Sequence, residues 1–451
     1  MTTVTAQTRK DRLKELAALA TPIAGIQLAQ VALTTTDTIM MGVLGVAALA
    51  AGGLAITLFN QVRTMCVGLI TGLGNQIAHA QGRSAPDEEV RGIARAGLVV
   101  ATLAGLAGVV VLVALSYALS WFGQDPQVLA GARPMMAALA PGLIPLLWLQ
   151  ALRQFATGMR KPKSLLPVML ASIAVNVGLN FVFIYGLGGA PKLGLTGVGL
   201  ATTFVQLFSV GAFWVILRRD QQLAPFLTGA GRPTVQEVKD VLKLGVPTAL
   251  TYGSEAGLFS FAALVIGHFG TAALAAHNAV NQIIYIVFQV SVGLSHGSSV
   301  LVSHAMGRGD KAEAREAAKT VLSVGAVIMA LVGVVYLAAP SLVLWPFRLS
   351  GEAAAIAGAL LVVAVVQQFF DNAQNIAVGL LRGLGDAKSG LRITLVGYWA
   401  VGLPVALVGG LVLGWGAPGV WLGLSAGLAF CAVMMVRAFL RGVAAAAVDP
   451  A

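Results

Sequence analysis

The chain is written in long, nearly unbroken apolar runs separated by short polar joins. A helix needs about 20 apolar residues to cross a bilayer. About twelve runs meet that length: residues 15–41, 47–77, 92–117, 130–151, 164–186, 195–217, 238–265, 271–302, 317–339, 353–377, 391–413 and 418–438. The second and eighth exceed what a membrane requires and are expected to project beyond it. The pattern predicts an all-α integral membrane protein.

The basic residues lie almost entirely in every other join. With the N-terminus placed inside, the inner segments hold Arg12 and Lys14, Arg83 and Arg91, Arg160, Lys161 and Lys163, Arg218 and Arg219, Arg308 and Lys311, Arg382 and Lys388, and Arg437 and Arg441. The outer segments hold little beyond Arg133, Lys192 and Arg348. Lys and Arg accumulate on the cytoplasmic side of membrane proteins. Both termini are therefore expected in the cytoplasm, the number of spans is expected to be even, and the location is expected to be a bacterial inner (plasma) membrane. The polar, basic start MTTVTAQTRKDRLKEL runs directly into the first span and does not read as a cleavable signal peptide.

Set against itself with a shift of 225 residues, the chain repeats. Pro22 falls on Pro247, GVLGVAALAA (42–51) on GHFGTAALAA (267–276), and HAQGR (79–83) on HAMGR (304–308). Between Lys14 and Arg83, 21 of 70 positions are identical without a gap. Each half carries six spans and so enters the membrane in the same sense, which predicts two six-helix bundles related by a pseudo-twofold axis along the membrane normal. The expected domains are an N-terminal bundle, 1–217, a cytoplasmic linker, 218–237, and a C-terminal bundle, 238–451. The join Arg218–Lys239 is polar and rich in Gly and Pro. Two such bundles suit alternating access better than catalysis.

Composition narrows the class further. Hydrophobic residues make up 57% and charged residues 10%, against about 25% charged in a soluble domain. The net charge of +11 follows from the cytoplasmic joins; no nucleic-acid-reading motif accompanies it, and no nucleic-acid partner is expected. Cys66 and Cys431 lie in apolar runs and read as core residues.

Three acids stand where the membrane should be: Asp37, Glu255 and Asp371. A carboxylate at the centre of a span costs about 2.5–3.5 kcal/mol on insertion scales. In the repeat register they face Ala262, Gln30 and Leu146, so none is duplicated. An acid in a protein-lined cavity can exchange a proton for a metal cation or a cationic substrate, which is the chemistry of coupled transport. Asp371 sits among Gln367, Gln368, Asn372, Gln374 and Asn375, too polar a stretch to face lipid. Asn176 and Asn180, four residues apart, share one helical face, and with Thr202 and Asp37 they are candidates for an oxygen-rich pocket. His277, Asn278, Asn281 and Gln282 lie along one span; His277 reads as a hydrogen-bonded core histidine, and Asn278 and Gln282 as supporting polar residues. Arg63 is expected to snorkel or to pair with an acid. GLSHG (293–297) matches the hydrolase pattern G-x-S-x-G, but its repeat counterpart GLITG lacks the serine, and its glycines read as helix-packing positions. With no H-E-x-x-H, Walker A or C-x-x-C motif, no nucleophile–base set and no cofactor motif, an enzyme is not expected.

The chain resembles the multidrug and toxic compound extrusion (MATE) family, in its NorM-like bacterial branch. The resemblance is carried by PIAGIQLAQ (22–30), DTIMMGVLG (37–45), GSEAG (253–257), DNAQNIAVGLLRGLGDAK (371–388) and the paired A-x-G-R ends of the second and eighth spans. It covers essentially the whole chain. It implies secondary antiport, with a Na⁺ or H⁺ gradient driving export of organic cations and amphiphilic drugs and with no further cofactor. It implies a cation site at Glu255 and Asp371, a metal site if the coupling ion is Na⁺; Gln367, from the polar stretch around Asp371, is a candidate supporting residue. It also implies a second site at Asp37 with Asn176, Asn180 and Thr202. Some relatives carry Asp where this chain has Asn180, so the pocket here holds one charge fewer. Membrane lipids are the expected surroundings, and a single chain holds both bundles, so a monomer is expected to suffice. The alternative reading is a lipid-linked precursor or polysaccharide flippase of the wider superfamily, for which Arg63 is the one clear basic residue within the spans.

Overall fold

The computed structural model describes residues 9–122, 126–189, 191–227 and 231–446; the N-terminal stretch 1–8 and the middle of the linker, 228–230, lie outside them. Among the described residues, 12 helical segments are long and apolar enough to cross a membrane. They are α1 (Lys10–Val43), α2 (Ala47–Gly82), α3 (Asp87–Ala118), α4 (Pro126–Gly158), α5 (Pro162–Tyr185), α6 (Leu195–Arg219), α7 (Val235–Gly267), α8 (Thr271–Gly307), α9 (Lys311–Ala338), α10 (Gly351–Gly383), α11 (Ala387–Val412) and α12 (Gly416–Ala445). Each apolar run of the sequence becomes one of them, usually lengthened by a turn or two, because polar ends beyond the hydrocarbon remain helical. The protein is all-helical and multi-pass.

Large apolar side chains remain on the surface, among them Val110, Leu264, Leu342 and Val412. On a protein in water such a surface would be a liability; here it suits contact with lipid. Tyr117, Trp345 and Trp415 are also exposed, each near the end of a span, where amphipathic rings favour the interface.

The described chain forms two compact units, one within residues 25–249 and the other made of residues 9–24 with 250–446. The division falls inside α1 and inside α7, in each case two residues beyond a proline, Pro22 and Pro247. A proline inside a helix cannot donate its backbone hydrogen bond and weakens the helix locally.

The unit 25–249 is built on one apolar cluster that runs from Ile26 to Val241 and includes Phe59, Ile77, Leu147, Phe155 and Phe213. Small residues let its helices meet backbone to backbone. A Cβ on Gly158 would stand 2.6 Å from the carbonyl oxygen of Gly74, bringing α4 against α2, and one on Gly197 would stand 2.6 Å from the carbonyl oxygen of Phe183, bringing α6 against α5. At the polar join, the Lys161 ammonium donates to both oxygens of Asp220 at 2.8 Å and holds that carboxyl below its ordinary pKa. The pair's contribution is therefore present above the unfolded carboxyl pKa and fades as pH falls through the lower folded value. Asp220→Asn is expected to cost about 1 kcal/mol or less, read as a small drop in melting temperature that disappears at acidic pH.

In the other unit, α8 and α10 are stitched together by serines. Ser291 Oγ donates to Asn372 Oδ1 at 2.8 Å, Ser295 Oγ to the Asn375 carbonyl at 2.7 Å, and Ser303 Oγ to the Gly383 carbonyl at 3.1 Å. Ser295, the serine of the GLSHG stretch, is thus occupied in helix pairing, and Gly293 of the same stretch packs on Ala20. α11 contains two π-helical segments, Val396–Gly402 and Val408–Val412, with Pro404 between them. Such wider turns recur at functional sites. Cys66 and Cys431 are buried and free.

Candidate functional site

Three helices of the unit 25–249 present polar faces to one cavity. On α1, Gln30, Thr34 and Asp37 are four and then three residues apart and share a face. On α2, Asn60 and Arg63 do the same, and on α6, Thr202 and Gln206. All seven line a cavity of about 50 Å³, together with Asn176 of α5 and the apolar Phe59. Asp37 is 5% exposed and is held by three hydrogen bonds. Asn176 and Asn180 each donate Nδ2 to its Oδ1 at 3.0 Å, and Thr202 Oγ1 donates to its Oδ2 at 2.9 Å. The structure therefore brings Asp37, Asn176, Asn180 and Thr202 into one hydrogen-bonded group. All three donors are neutral, and no cation lies within ion-pair distance of Asp37 among the described residues. The carboxyl group is fixed in orientation by neutral donors and has no ion-pair partner. Asn180 Oδ1 is buried without a partner, which leaves a further oxygen for an incoming donor or cation.

Arg63 departs from the expectation that it pairs with an acid. Among the described residues it makes no hydrogen bond and no ion pair. It lies near the middle of the 36-residue α2, is half-buried, and lines the same cavity as Asp37. Asn60 and Gln206 were not singled out by the sequence. A polar residue every third or fourth position was the available signal.

In the second unit, Asp371 is 5% exposed and Gln367, one turn earlier on the same face of α10, is 1% exposed. Asp371 Oδ1 and the Oε1 atoms of Gln367, Gln368 and Gln374 are all buried with no hydrogen-bond partner. Buried oxygens are normally satisfied, so four unpartnered acceptors along one stretch of α10 fit a cation or proton better than they fit packing. Glu255, half-buried on α7, and Asp371 lie within electrostatic range of each other. The set suits a hard cation, which prefers oxygen ligands; no cluster of three or more His, Cys, Asp or Glu side chains able to hold a metal ion occurs among the described residues.

Asn278 and Gln282 make no hydrogen bond to this group among the described residues. Both are exposed, because α8 turns His277, Val280 and Ile284 inward instead, and residues four apart on the opposite face are carried outward together. His277 is a core residue: it is 3% exposed, and its Nδ1 accepts from Trp421 Nε1 at 3.0 Å. Tyr398, in the first π-helical segment of α11, escaped the sequence reading. It is fully buried, its hydroxyl has no partner, and it lies within electrostatic range of both Glu255 and Asp371.

The family model MatE matches the chain twice, over residues 22–182 and 247–408. The chain belongs to the MatE family. The two matches begin 225 residues apart, the shift at which the sequence repeats. Among curated proteins, the chain is 37% identical to the probable multidrug resistance protein NorM of Pseudomonas aeruginosa over 95% of this chain and 89% of that protein. It is 33% identical to the multidrug resistance protein NorM of Burkholderia vietnamiensis over 94% and 93%. Among solved structures, the eukaryotic MATE transporter AtDTX14 superposes with a TM-score of 0.88 at 19% identity, over 97% of this chain and 98% of that one. An outward-facing multidrug resistance MATE family transporter gives 0.85 at 20% identity, over 96% and 95%. At these identities the structural matches establish the fold. Family membership makes this chain a NorM-like membrane transporter and not an enzyme.

Proposed function

We propose that the chain is a secondary active multidrug efflux antiporter, exporting organic cations and amphiphilic drugs in exchange for Na⁺ or H⁺. The observation that carries this reading is Asp37: a buried carboxylate facing a cavity, held by three neutral donors and paired with no cation. Such a group can bind a cationic drug or a coupling ion, but not both at full strength. When a proton or Na⁺ neutralises the carboxylate, its hold on a cationic drug weakens, and that differential affinity is what couples the two fluxes. Glu255 and Asp371, with the unpartnered oxygens around them, are proposed as a second coupling site, taking Na⁺ as cargo. The multidrug resistance names of the relatives support the substrate class.

In this reading the N-terminal bundle is 1–217, the linker 218–237 and the C-terminal bundle 238–451. The protein lies in the bacterial inner membrane with both termini in the cytoplasm. It works as a monomer surrounded by lipid, with no cofactor beyond the coupling ion.

The test is export of a fluorescent organic cation from liposomes holding the purified protein, under an imposed Na⁺ gradient at equal pH and, separately, under a pH gradient without Na⁺. Export driven by one gradient and abolished when it is collapsed is the expected result and names the ion. No export under either gradient would sink the antiporter reading.

A further inference from the structure

We infer that Arg382 is a fixed positive barrier closing the inner end of the Glu255–Asp371 site, so that a coupling cation bound there cannot run on through the second unit and must leave by the route it entered. The inference rests on the reading of Glu255 and Asp371 as a coupling site and adds the residue that keeps that site from leaking.

Asp371 and Arg382 are eleven residues apart on α10. At 3.6 residues per turn that is about three turns, roughly 16 Å along the axis, and it returns the two side chains to within about 20° of the same face. Arg382 is in the last turn of the helix, its cytoplasmic end in the orientation proposed above. An arginine in such a place normally extends its head to water. This one is 2% exposed, and every residue from Ile376 to Gly383 is buried. Neutral groups hold the guanidinium. It donates to the Tyr252 hydroxyl of α7 at 2.5 Å and to Ser295 Oγ of α8 at 3.2 Å, and it stands 6.0 Å from the centre of the Tyr252 ring. Its Nε is buried with no partner, and no Asp or Glu lies within ion-pair distance among the described residues. Tyr252 is three residues before Glu255 on α7, so the two are neighbours on that helix. Both helices therefore run from an acid of the site to one buried, unpaired cation.

Packing does not demand the charge. At the 225-residue shift Gly383 and Ser299 fall on Gly158 and Gly74, and the close contact is kept in both halves. A Cβ on Gly383 would stand 2.9 Å from the Ser299 carbonyl oxygen, as one on Gly158 would stand 2.6 Å from that of Gly74. Arg382, one position earlier, falls on Thr157. The same helix contact is thus built with a small neutral residue at that position in the first half. Arginine keeps its charge inside proteins, and an arginine in a pathway excludes cations and protons. At about 5 Å and an effective dielectric constant of about 20, one fixed unit charge lowers the chance of a like charge passing on the order of 100-fold. A carboxylate partner would cancel that effect; hydroxyls do not.

The experiment measures net entry of radioactive Na⁺ into Na⁺-free liposomes holding the purified protein, with no drug present and the membrane potential held at zero by K⁺ and valinomycin. An enclosed pH dye reads proton entry in the same way. The expected result is that Arg382→Gln, or Arg382→Met should the first not fold, admits the coupling ion at least about 10-fold faster than wild type. Arg382→Lys, which keeps the charge, and Tyr252→Phe, which removes one bond to it, stay within about twofold of wild type. Adding Asp371→Asn to Arg382→Gln is expected to stop the leak, because the ion no longer has a site to leak from. A neutral variant as tight as wild type overturns the inference and leaves the coupling site standing. Equal leaks in the neutral, Lys and Tyr252→Phe variants overturn it too and make Arg382 a tie between helices. A leak that survives Asp371→Asn also overturns it, because the ion then passes elsewhere. Failure of the underlying reading shows separately: export by Asp371→Asn alone at unchanged ion affinity removes the coupling site and this inference with it.

Discussion

Asp371→Asn is expected to abolish ion-driven export while leaving the protein folded and inserted. The substitution is nearly isosteric, so α10 keeps its packing against α8. Removing a buried carboxylate that lacks an ion pair does not expose an opposite charge, and exchange of buried charges for neutral groups is often tolerated. What disappears is the one negative charge on a helix face where Gln367 and Gln374 also hold unpartnered oxygens. Charged hydrogen-bonding partners contribute about 1.5–3 kcal/mol each. Apparent affinity for the coupling ion should therefore fall roughly 10- to 100-fold, enough to stall turnover at ordinary gradients. The measurement is initial export rate against Na⁺ concentration and, separately, against pH, normalised to the amount of protein in the membrane. Retained export at normal ion affinity would remove Asp371 from the coupling site and leave Asp37 as its centre.

Asp37→Asn is expected to uncouple drug binding from pH. In the wild type, protonation neutralises the carboxylate, so a cationic dye should bind more weakly as the medium is acidified. An amide at this position cannot be neutralised further. The variant's dye affinity should be low, about 10-fold below wild type, and nearly independent of pH. The fold should survive. The substituted side chain keeps an oxygen to accept from the Asn176 and Asn180 amides. Its own N–H₂ would face Thr202, whose hydroxyl can rotate to accept instead of donate. The measurement is dye binding to the purified protein across pH 5–8, with the melting temperature as a control on folding. A dye affinity that still falls with acid in the variant would place the titrating group elsewhere, with Glu255 and Asp371 next in line.

The two predictions differ in what the sequence can support. Asp371 announces itself: an acid inside a run that also holds five amide side chains cannot face lipid. Asp37 is one acid in a small-residue stretch, and its assignment leans on the spacing of Asn176 and Asn180 and on the family resemblance. Arg63 is visible in the sequence as an intramembrane charge, but its lack of a partner and its place beside Asp37 are not. Tyr398 carries no signal, because a tyrosine in an apolar run is equally at home in a core or at a lipid interface.

The spans and the internal repeat were determined by the sequence alone, which also carries the expectation of sidedness. Each follows from a one-dimensional constraint: the bilayer sets the length of an apolar run, the cytoplasmic surface sets the distribution of Lys and Arg, and duplication leaves a constant shift. The rotation of each helix about its own axis was decided only by tertiary structure. In water, amphipathicity records which face of a helix is buried; in a membrane, lipid and core are both apolar, and that record is weak. α8 therefore turned His277 inward and left Asn278 and Gln282 outside, while α2 turned Asn60 and Arg63 toward Asp37. Close packing at glycines such as Gly158 and Gly197, and serine bonds such as those between α8 and α10, set those rotations, and these contacts exist only once the helices have met.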